Sequence, residues 1–399
     1  MNSDTHRGDP PELVVGLVSP VGMNTTDLAN SVQRSLSDCG YLAVVIKLSS
    51  LLPAAGDQPP GEAEDRRIRR LMSGGNRFWV QLLRSIYGEQ FILIGSQGSV
   101  AQRTRNLLQR NISGADGAAK EAAVAELFRI DAHDPESFGQ NVIDTYPQAD
   151  FFVRNNDSDD IDRAITLLFG APTPPTVGEY AMYMARASRA RSLAASRKVG
   201  AAIVVDGFVV STGYNDVPEG QSTDIAQGID TSEQFKRDNV RDTLERLHAA
   251  GMLAEGVDAD DNSVTKAADV LKKGALMSTI EYQRAVHAEA RAIDEATIRG
   301  ISPAGGVLYV TTFPCHLCYK HALSVRLDHI EYIEPYPKSR AVEMFDEGAD
   351  DKLVPFTGVA PRRFMAIFDE RPAPLSVPPG IFEPYNRRAA TPPAWPSTR

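Results

Sequence analysis

Cysteine is scarce, with three in 399 residues, and so few rule out a disulfide scaffold. No run approaches about 18 consecutive apolar residues, so no segment suits a transmembrane helix. The opening stretch, MNSDTHRGDPPE, is polar and acidic where a secretory leader would be basic and then apolar. A cytoplasmic location is therefore expected, with no membrane partner. Positive charge is also short. Forty-two basic against 52 acidic residues give a formal net charge of −10. Such an anion is a poor general binder of nucleic-acid polymers, because phosphate neutralisation supplies most non-specific affinity. Small nucleotides are not excluded, since a local basic pocket can exist on an acidic protein. What remains is ordinary globular composition, 42% apolar and 24% charged, long enough for two to three domains at about 150 residues each.

The chain alternates strand-like and helix-like patterns. Residues 12–18 (ELVVGLV) form a short β-branched apolar run and predict a buried strand. A glycine-containing turn follows at 19–24. Apolar positions 28, 32 and 36 then predict a helix, with Thr25, Thr26 or Asp27 as its cap. Further strands are expected at 41–48 (YLAVVIKL), 91–95 (FILIG) and 151–154 (FFVR), with a closing helix at 161–169. Strands alternating with helices predict a parallel, helix-covered sheet. The proline- and glycine-rich stretch 170–178 reads as a linker. Beyond it we expect a helix over 180–197, a hairpin at 200–212 turning on Asp206 and Gly207, and a helix at 286–299. A strand at 306–311, a helix at 315–325 and a strand at 329–333 complete the second half. The long stretch 221–278 reads as an inserted helical arm, with helices at 231–248, capped by Asp230, and at 264–273. Its acidic run 256–263 lacks the ordered spacing of an EF-hand. Eight prolines in the last 30 residues exclude regular core structure there.

The strongest chemical pattern is His287-Ala288-Glu289 followed by Pro314-Cys315-His316-Leu317-Cys318. Zinc accepts one imidazole nitrogen and two thiolates and keeps a fourth position open for water. Cysteines at i and i+3 in a first helical turn share a face, and the helix N-terminus favours their thiolates. Glu289 is placed to shuttle a proton rather than to ligate. A structural zinc site would need a fourth protein ligand, which His316 or His321 could supply. Residues adjacent on a helix point apart, however, which disfavours His316 beside Cys315. H-x-E with P-C-x-x-C resembles the zinc deaminase pattern, in which the glutamate is general acid and base.

Residues 179–216, EYAMYMARASRARSLAASRKVGAAIVVDGFVVSTGYND, resemble the opening of deoxycytidylate (dCMP) deaminases. That resemblance implies a cytidine deaminase fold, a mixed five-stranded sheet between helices, with Zn2+ as cofactor. It also implies that Asn215 contacts the nucleotide's sugar and base. Arg197 and Lys198 could meet a substrate phosphate or be a solvated pair. Over roughly residues 12–368 the chain is similar to anti-phage dCTP deaminases, in which a P-loop-kinase-like domain precedes such a deaminase. The segments carrying this are FGQNVIDTYPQADFFVRN at 138–155, TTFPCHLCYKHALSVRLDHIEYIEPYPKSRAVEMF at 311–345 and PFTGVAPRRFMAIF at 355–368. The resemblance implies hydrolytic deamination of free dCTP and/or dCMP to dUTP or dUMP, draining dCTP during phage infection, by a homo-oligomer. A housekeeping dCMP deaminase, a nucleic-acid cytosine editor and a non-enzymatic partner-binding platform are the competing readings.

The first half departs from the kinase pattern. Walker A requires G-x-x-x-x-G-K-[ST], whereas Gly16 to Gly22 has five residues between its glycines and Met23 stands where lysine belongs. Backbone amides at a helix start can still bind an anion. Gly16, Ser19, Gly22, Asn24 and Thr25 are therefore expected to hold a regulatory nucleotide without phosphoryl transfer, a structural relic and an active kinase being the competing readings. Arg66, Arg67, Arg69, Arg70 and Arg77 resemble a phosphate-gripping lid, although a charge run is usually a solvated face. The expected organisation is an α/β chain. An N-terminal segment 1–11 precedes a P-loop-like parallel α/β domain at 12–169, a linker at 170–178, the zinc deaminase domain at 179–370 and a proline-rich tail at 371–399.

Overall fold

The computed structural model describes residues 12–48, 63–66, 68, 76–132, 141–154, 157–194, 197–254, 257–272, 274–336, 339–345, 347–370 and 385–387. Residues 1–11, most of the 371–399 tail, and Arg67, Arg69 and Arg70 lie outside them. In chain order the first half runs β1 (Val14–Val18), α1 (Thr25–Asp38), α2 (Asn76–Tyr87), β2 (Phe91–Gln97), α3 (Val100–Leu108), α4 (Gly117–Ala132), β3 (Phe151–Arg154) and α5 (Ser158–Leu168). Then come α6 (Val177–Ser188), β4 (Gly200–Val205), β5 (Phe208–Tyr214), α7 (Thr231–Ala249), α8 (Asp261–Leu271) and α9 (Ala288–Ile298). The remainder is β6 (Val307–Thr312), α10 (His316–Ser324), β7 (His329–Glu334), β8 (Leu353–Pro355), β9 (Gly358–Val359) and α11 (Phe364–Phe368).

Two compact units result. The first holds residues 1–183, 331–335 and 350–399, and the second 184–330 and 336–349. This division differs from the expected 179–370 domain, and non-local pairing is the reason. β9 pairs antiparallel with β3, through Phe151–Val359 and Phe152–Gly358. Asp150, fully buried, accepts from Leu93 N at 2.8 Å, Arg84 Nη2 at 2.9 Å and Arg363 Nε at 2.8 Å. Residues 350–370 are thereby tied into the first unit.

In that unit β1, β2 and β3 are parallel in the order β1-β2-β3-β9. The first six residues of β2 are all buried, as a continuous apolar run predicts for a strand covered on both faces. Leu28, Val32 and Leu36 of α1 and Ile161, Ile165 and Leu168 of α5 close one face over Ile92, Ile94, Phe151 and Val153. α1 is capped one residue earlier than expected. Asn24 Oδ1 accepts from Thr26 N at 3.2 Å and Asp27 N at 3.3 Å, so an asparagine rather than Thr25, Thr26 or Asp27 satisfies the first amides.

Residues 41–47 are not a strand. Leu42, Val44 and Ile46 are 95%, 79% and 68% exposed. Their β-branched composition fits a pleated surface, but a strand also requires a partner, and β1 neighbours only β2. The expected helix over 180–197 likewise stops early, at Ser188 with a 3₁₀ turn to Arg191. Ser188 Oγ lies 2.8 Å from Ala185 O in its own helix and 2.7 Å from Gly213 O, and residues 192–194 beyond the 3₁₀ turn are irregular.

The other sheet has five strands in the order β5-β4-β6-β7-β8, with β5, β4 and β6 antiparallel to their neighbours in that run. Two glycines set how closely helices approach it. A Cβ on Gly200 would lie 1.9 Å from Ala185 O in the last turn of α6, and one on Gly213 2.0 Å from Ala288 O in α9. Gly200 pairs with Tyr214, the neighbour of Gly213, so the two glycines face opposite sides of the sheet and each side carries a helix. Ala288, Ala292 and Ala296 give α9 a narrow buried stripe that permits this contact. The 221–278 arm is helical as expected. Val240, Val264, Ala268 and Met277 form its core, and Asp230 Oδ1 caps α7 through Glu233 N at 2.9 Å.

The fold generates one prediction that also touches chemistry. Gly213→Ala should push α9 off the sheet and lower stability by about 1–3 kcal/mol or more, with loss of metal affinity, because His287 immediately precedes α9. Gly117→Ala, at a helical position with no atom near the new methyl, should be neutral or stabilising by up to about 1 kcal/mol. Urea unfolding of the two variants side by side measures the contrast.

Candidate active site and metal centre

Two helix starts converge in the second unit. His287 is extended (φ −69°, ψ 153°) and immediately precedes α9. Its approach is fixed by a backbone pair, Val286 N to Asp216 O at 2.9 Å and Asp216 N to Val286 O at 3.3 Å. Cys315 is likewise extended (φ −71°, ψ 163°) and opens α10 just beyond β6. Ser339 Oγ donates to Pro314 O at 2.7 Å and steadies that entry.

These backbones bring His287 Nδ1 to 3.3 Å from Cys315 Sγ and 3.3 Å from Cys318 Sγ. The three ligand atoms lie within 4.8 Å of one another, the one such group among the described residues. Neither His316 nor His321 joins it, so the donor set stays at three. Tetrahedral zinc with ordinary Zn–S and Zn–N bonds places sulfur and nitrogen ligands about 3.5 Å apart. The spacing and the mixed imidazole–thiolate chemistry both fit that ion. His287, Cys315 and Cys318 would hold Zn2+, which would supply Lewis-acid chemistry toward water.

Electrostatics favour the same assignment. Cys315 caps α10, accepting from Cys318 N at 3.5 Å. Its thiol is pushed well below the usual range, first by a hydrogen bond from Cys318 and then, against burial, by His287. Cys318 moves the opposite way, because the neighbouring thiolate holds its proton and the site is dry. The first ionisation of this pair is easy and the second waits for a compensating cation. His287 is raised, chiefly by its hydrogen bond to Cys315. On its far side, Nε2 lies 2.6 Å from Gln283 Oε1.

Glu289 is the second residue of α9 and only 5% exposed. Burial lifts its carboxyl to about 7, with the charge of His287 opposing. It lies within interaction range of His287, Cys315 and Cys318 without being part of the ligand group.

The remaining expected site residues fare differently. The Asn215 amide is committed to building its own loop. Oδ1 accepts from Val199 N at 2.6 Å and Ser192 Oγ at 3.0 Å, and Nδ2 donates to Arg197 O at 2.8 Å. Arg197 stands close enough to the Tyr336 phenol to pull its pKa down, against the larger upward effect of burial. Lys198 is exposed. Tyr336 packs with Ile280, Cys315 and Cys318, and sequence reasoning missed it, since nothing in its Pro-Tyr-Pro setting points toward a site 18 residues earlier. In the acidic run 256–263, Asp260 caps α8 through Ser263 N at 2.8 Å and Asp261 pairs with Arg241.

The N-terminal loop belongs to the first unit. Val21 N donates to Asp131 Oδ2 at 2.8 Å, Arg103 Nε to Val21 O at 2.8 Å, and Asn106 Nδ2 to Gly22 O at 2.9 Å. Gly16 lies in β1, Thr25 is exposed at the start of α1, and Asn24 is the cap. Ser19 Oγ is buried with no hydrogen-bond partner. Met23, where a kinase would carry lysine, is buried. Of the basic cluster, Arg77 pairs with Asp144 at 3.3 Å on the surface and Arg66 is exposed.

Comparison with known proteins converges on the same region. Residues 175–334 match the family described as the cytidine and deoxycytidylate deaminase zinc-binding region. That stretch contains His287, Glu289, Cys315 and Cys318, and it resembles a zinc-binding deaminase domain. Within that class its likeness is to deoxycytidylate deaminases. The chain is 29% identical to the deoxycytidylate deaminase of Enterobacteria phage T2 over 147 residues, 36% of this chain and 73% of that protein. It is also similar to the dCMP deaminase of cyanophage S-TIM5. The apo structure is 16% identical, covering 46% of this chain and 100% of that one, at a TM-score of 0.29. The complex with dCMP and dUMP is 17% identical, covering 46% and 99%, at 0.30. No helix among the described residues is long and apolar enough to cross a membrane.

Role separation within the site is testable. His287→Ala, Cys315→Ser and Cys318→Ser should each remove stoichiometric zinc from the purified protein. Glu289→Gln should keep the metal and lose turnover by at least about 100-fold. Elemental analysis beside a deamination assay reads both, and near-normal turnover in Glu289→Gln would assign the proton transfer to another group.

Proposed function

We propose that this protein is a zinc-dependent hydrolase of free deoxycytidine nucleotides, converting dCTP and/or dCMP to dUTP or dUMP, and that it thereby depletes dCTP in phage-infected cells. The observation that carries the reading is the buried Glu289 carboxyl beside a three-ligand His–Cys–Cys group. Deamination consumes water and releases ammonia. Glu289 takes one proton from the attacking water and gives it to the ring nitrogen, then takes the second from the added hydroxyl and delivers it to the departing amine. Burial serves this by keeping bulk water away from the carboxyl. A phage deoxycytidylate deaminase among the relatives supports a deoxycytidine nucleotide as substrate.

In this reading Arg197, beside Tyr336, and the exposed Lys198 supply positive charge for the substrate phosphates. Asn215 acts on sugar and base through the loop it holds. A polymer substrate would need base flipping or a stacking groove, and a net charge of −10 disfavours either. The decisive experiment offers an equal mixture of dCMP, dCTP, CMP and CTP, with single-stranded DNA in a parallel reaction, and separates the products. Uracil formation from dCTP with or without dCMP is expected. Conversion of dCMP alone would favour a housekeeping role in thymidylate supply, and uracil in DNA with free nucleotides untouched would make the protein an editor.

The same proposal includes a regulatory nucleotide on the loop of Gly16, Ser19, Gly22, Asn24 and Thr25, and assembly into a homo-oligomer. The buried, unpartnered Ser19 hydroxyl supports the loop site. Replacing Gly22 is not the way to test it, because at φ 95° a Cβ would lie 2.8 Å from Arg103 O and disturb packing. Calorimetric titration of the Glu289→Gln protein with dTTP, dUTP and dCTP should show a second binding event for one of them. Its absence for all three would leave the loop a structural turn.

A further inference from the structure

We propose that Gln283 is a positioning residue for the metal centre, fixing the tautomer and ring angle of His287 through its side-chain oxygen. The proposal rests on the zinc-site reading above. His287 Nδ1 faces both thiol sulfurs at 3.3 Å, so Nδ1 must present its lone pair to the metal. The neutral ring then carries its hydrogen on Nε2, and Nε2 lies 2.6 Å from Gln283 Oε1. Only an acceptor satisfies that N–H, so the amide oxygen, not its NH2, is the productive face. Ligating histidines generally depend on such an acceptor to hold their orientation.

The amide is held in place from both sides. Arg284 Nη1 bonds Asp224 Oδ1 at 2.8 Å and its Nη2 bonds Ser222 O at 3.0 Å. Val286 is bridged to Asp216. Tyr282 stacks on Phe235 of α7, with ring centroids 5.4 Å apart. Three of the residues flanking Gln283 are therefore anchored, two of them by the inserted 221–278 arm. The arm acquires a purpose: it braces the acceptor for a metal ligand. Choice of an amide also has a consequence for charge. Two thiolates already neutralise a divalent cation, and a carboxylate at 283 would add a further negative charge, whereas glutamine supplies the acceptor without it.

The test uses the full-length protein and reads metal binding directly. Zinc affinity is measured by competition with a chelator, and Co2+ substitution reports ligand geometry through its visible bands. Gln283→Leu, similar in bulk but without an acceptor, should weaken zinc by about 10-fold or more and alter the cobalt spectrum. Gln283→Glu, which restores an oxygen of the same reach, should return affinity to near the wild-type level. An unchanged affinity and cobalt spectrum in Gln283→Leu would overturn the proposal, as would a Gln283→Glu protein as weak as Gln283→Leu. Unaltered thermal melting separates these outcomes from misfolding, and the Gln283→Glu result decides if Gln283→Leu melts early. A wild-type protein that takes up no zinc would instead overturn the zinc-site reading itself.

Discussion

The chemistry of the second unit depends on the meeting of two helix N-termini at one point. Each carries about half a unit of positive charge from its aligned peptide dipoles. α9 brings His287 and Glu289 there, and α10 brings Cys315 and Cys318. That shared positive end favours the Cys315 thiolate, while burial lifts the Glu289 carboxyl to about 7 and the neighbouring Cys315 keeps Cys318 protonated. The rest of the fold is arranged to keep the two starts in register. Gly213 lets α9 lie directly on β5, the Asp216–Val286 bridge aims His287, and Ser339 holds the turn before Cys315.

Carboxylates do a related job in the first unit, where they serve as internal anions. Asp131 occupies the Val21 amide of the glycine-containing turn, and Asp150 gathers Arg84, Arg363 and the Leu93 amide at a fully buried position. The first tightens a loop whose layout resembles a phosphate cradle. The second ties a distant stretch of chain to a central strand. Removing one partner of such a buried cluster leaves uncompensated charge and is far more costly than its net contribution suggests.

Several polar residues turn out to organise backbone around the site. Asn215 pins Val199 and Arg197 and so shapes the loop that presents Arg197 near Tyr336. Arg284 fastens the start of the inserted arm beside Gln283. These contacts convert loops, which lack a ladder or helix of their own, into fixed supports for ligands.

By itself the sequence determined the parts whose physics is local. Apolar periodicity gave β1, β2, β3, α1, α5 and the second-half alternation, Asp230 was recognisable as a cap, and H-x-E with C-x-x-C marked four residues whose spacing places them at the starts of two helices. Tertiary structure decided whatever needed a partner far along the chain. Residues 41–47 have the composition of a strand but no neighbouring strand in the first sheet, and α6 ends at Ser188, whose hydroxyl reaches Gly213 O in β5. β9 joins β3 across some 200 residues, Tyr336 enters the site from beyond β7, and Asn215 spends its amide on backbone. Propensity and periodicity describe what a segment can become. Which of those possibilities is realised depends on the hydrogen-bond and packing partners that only the folded chain supplies.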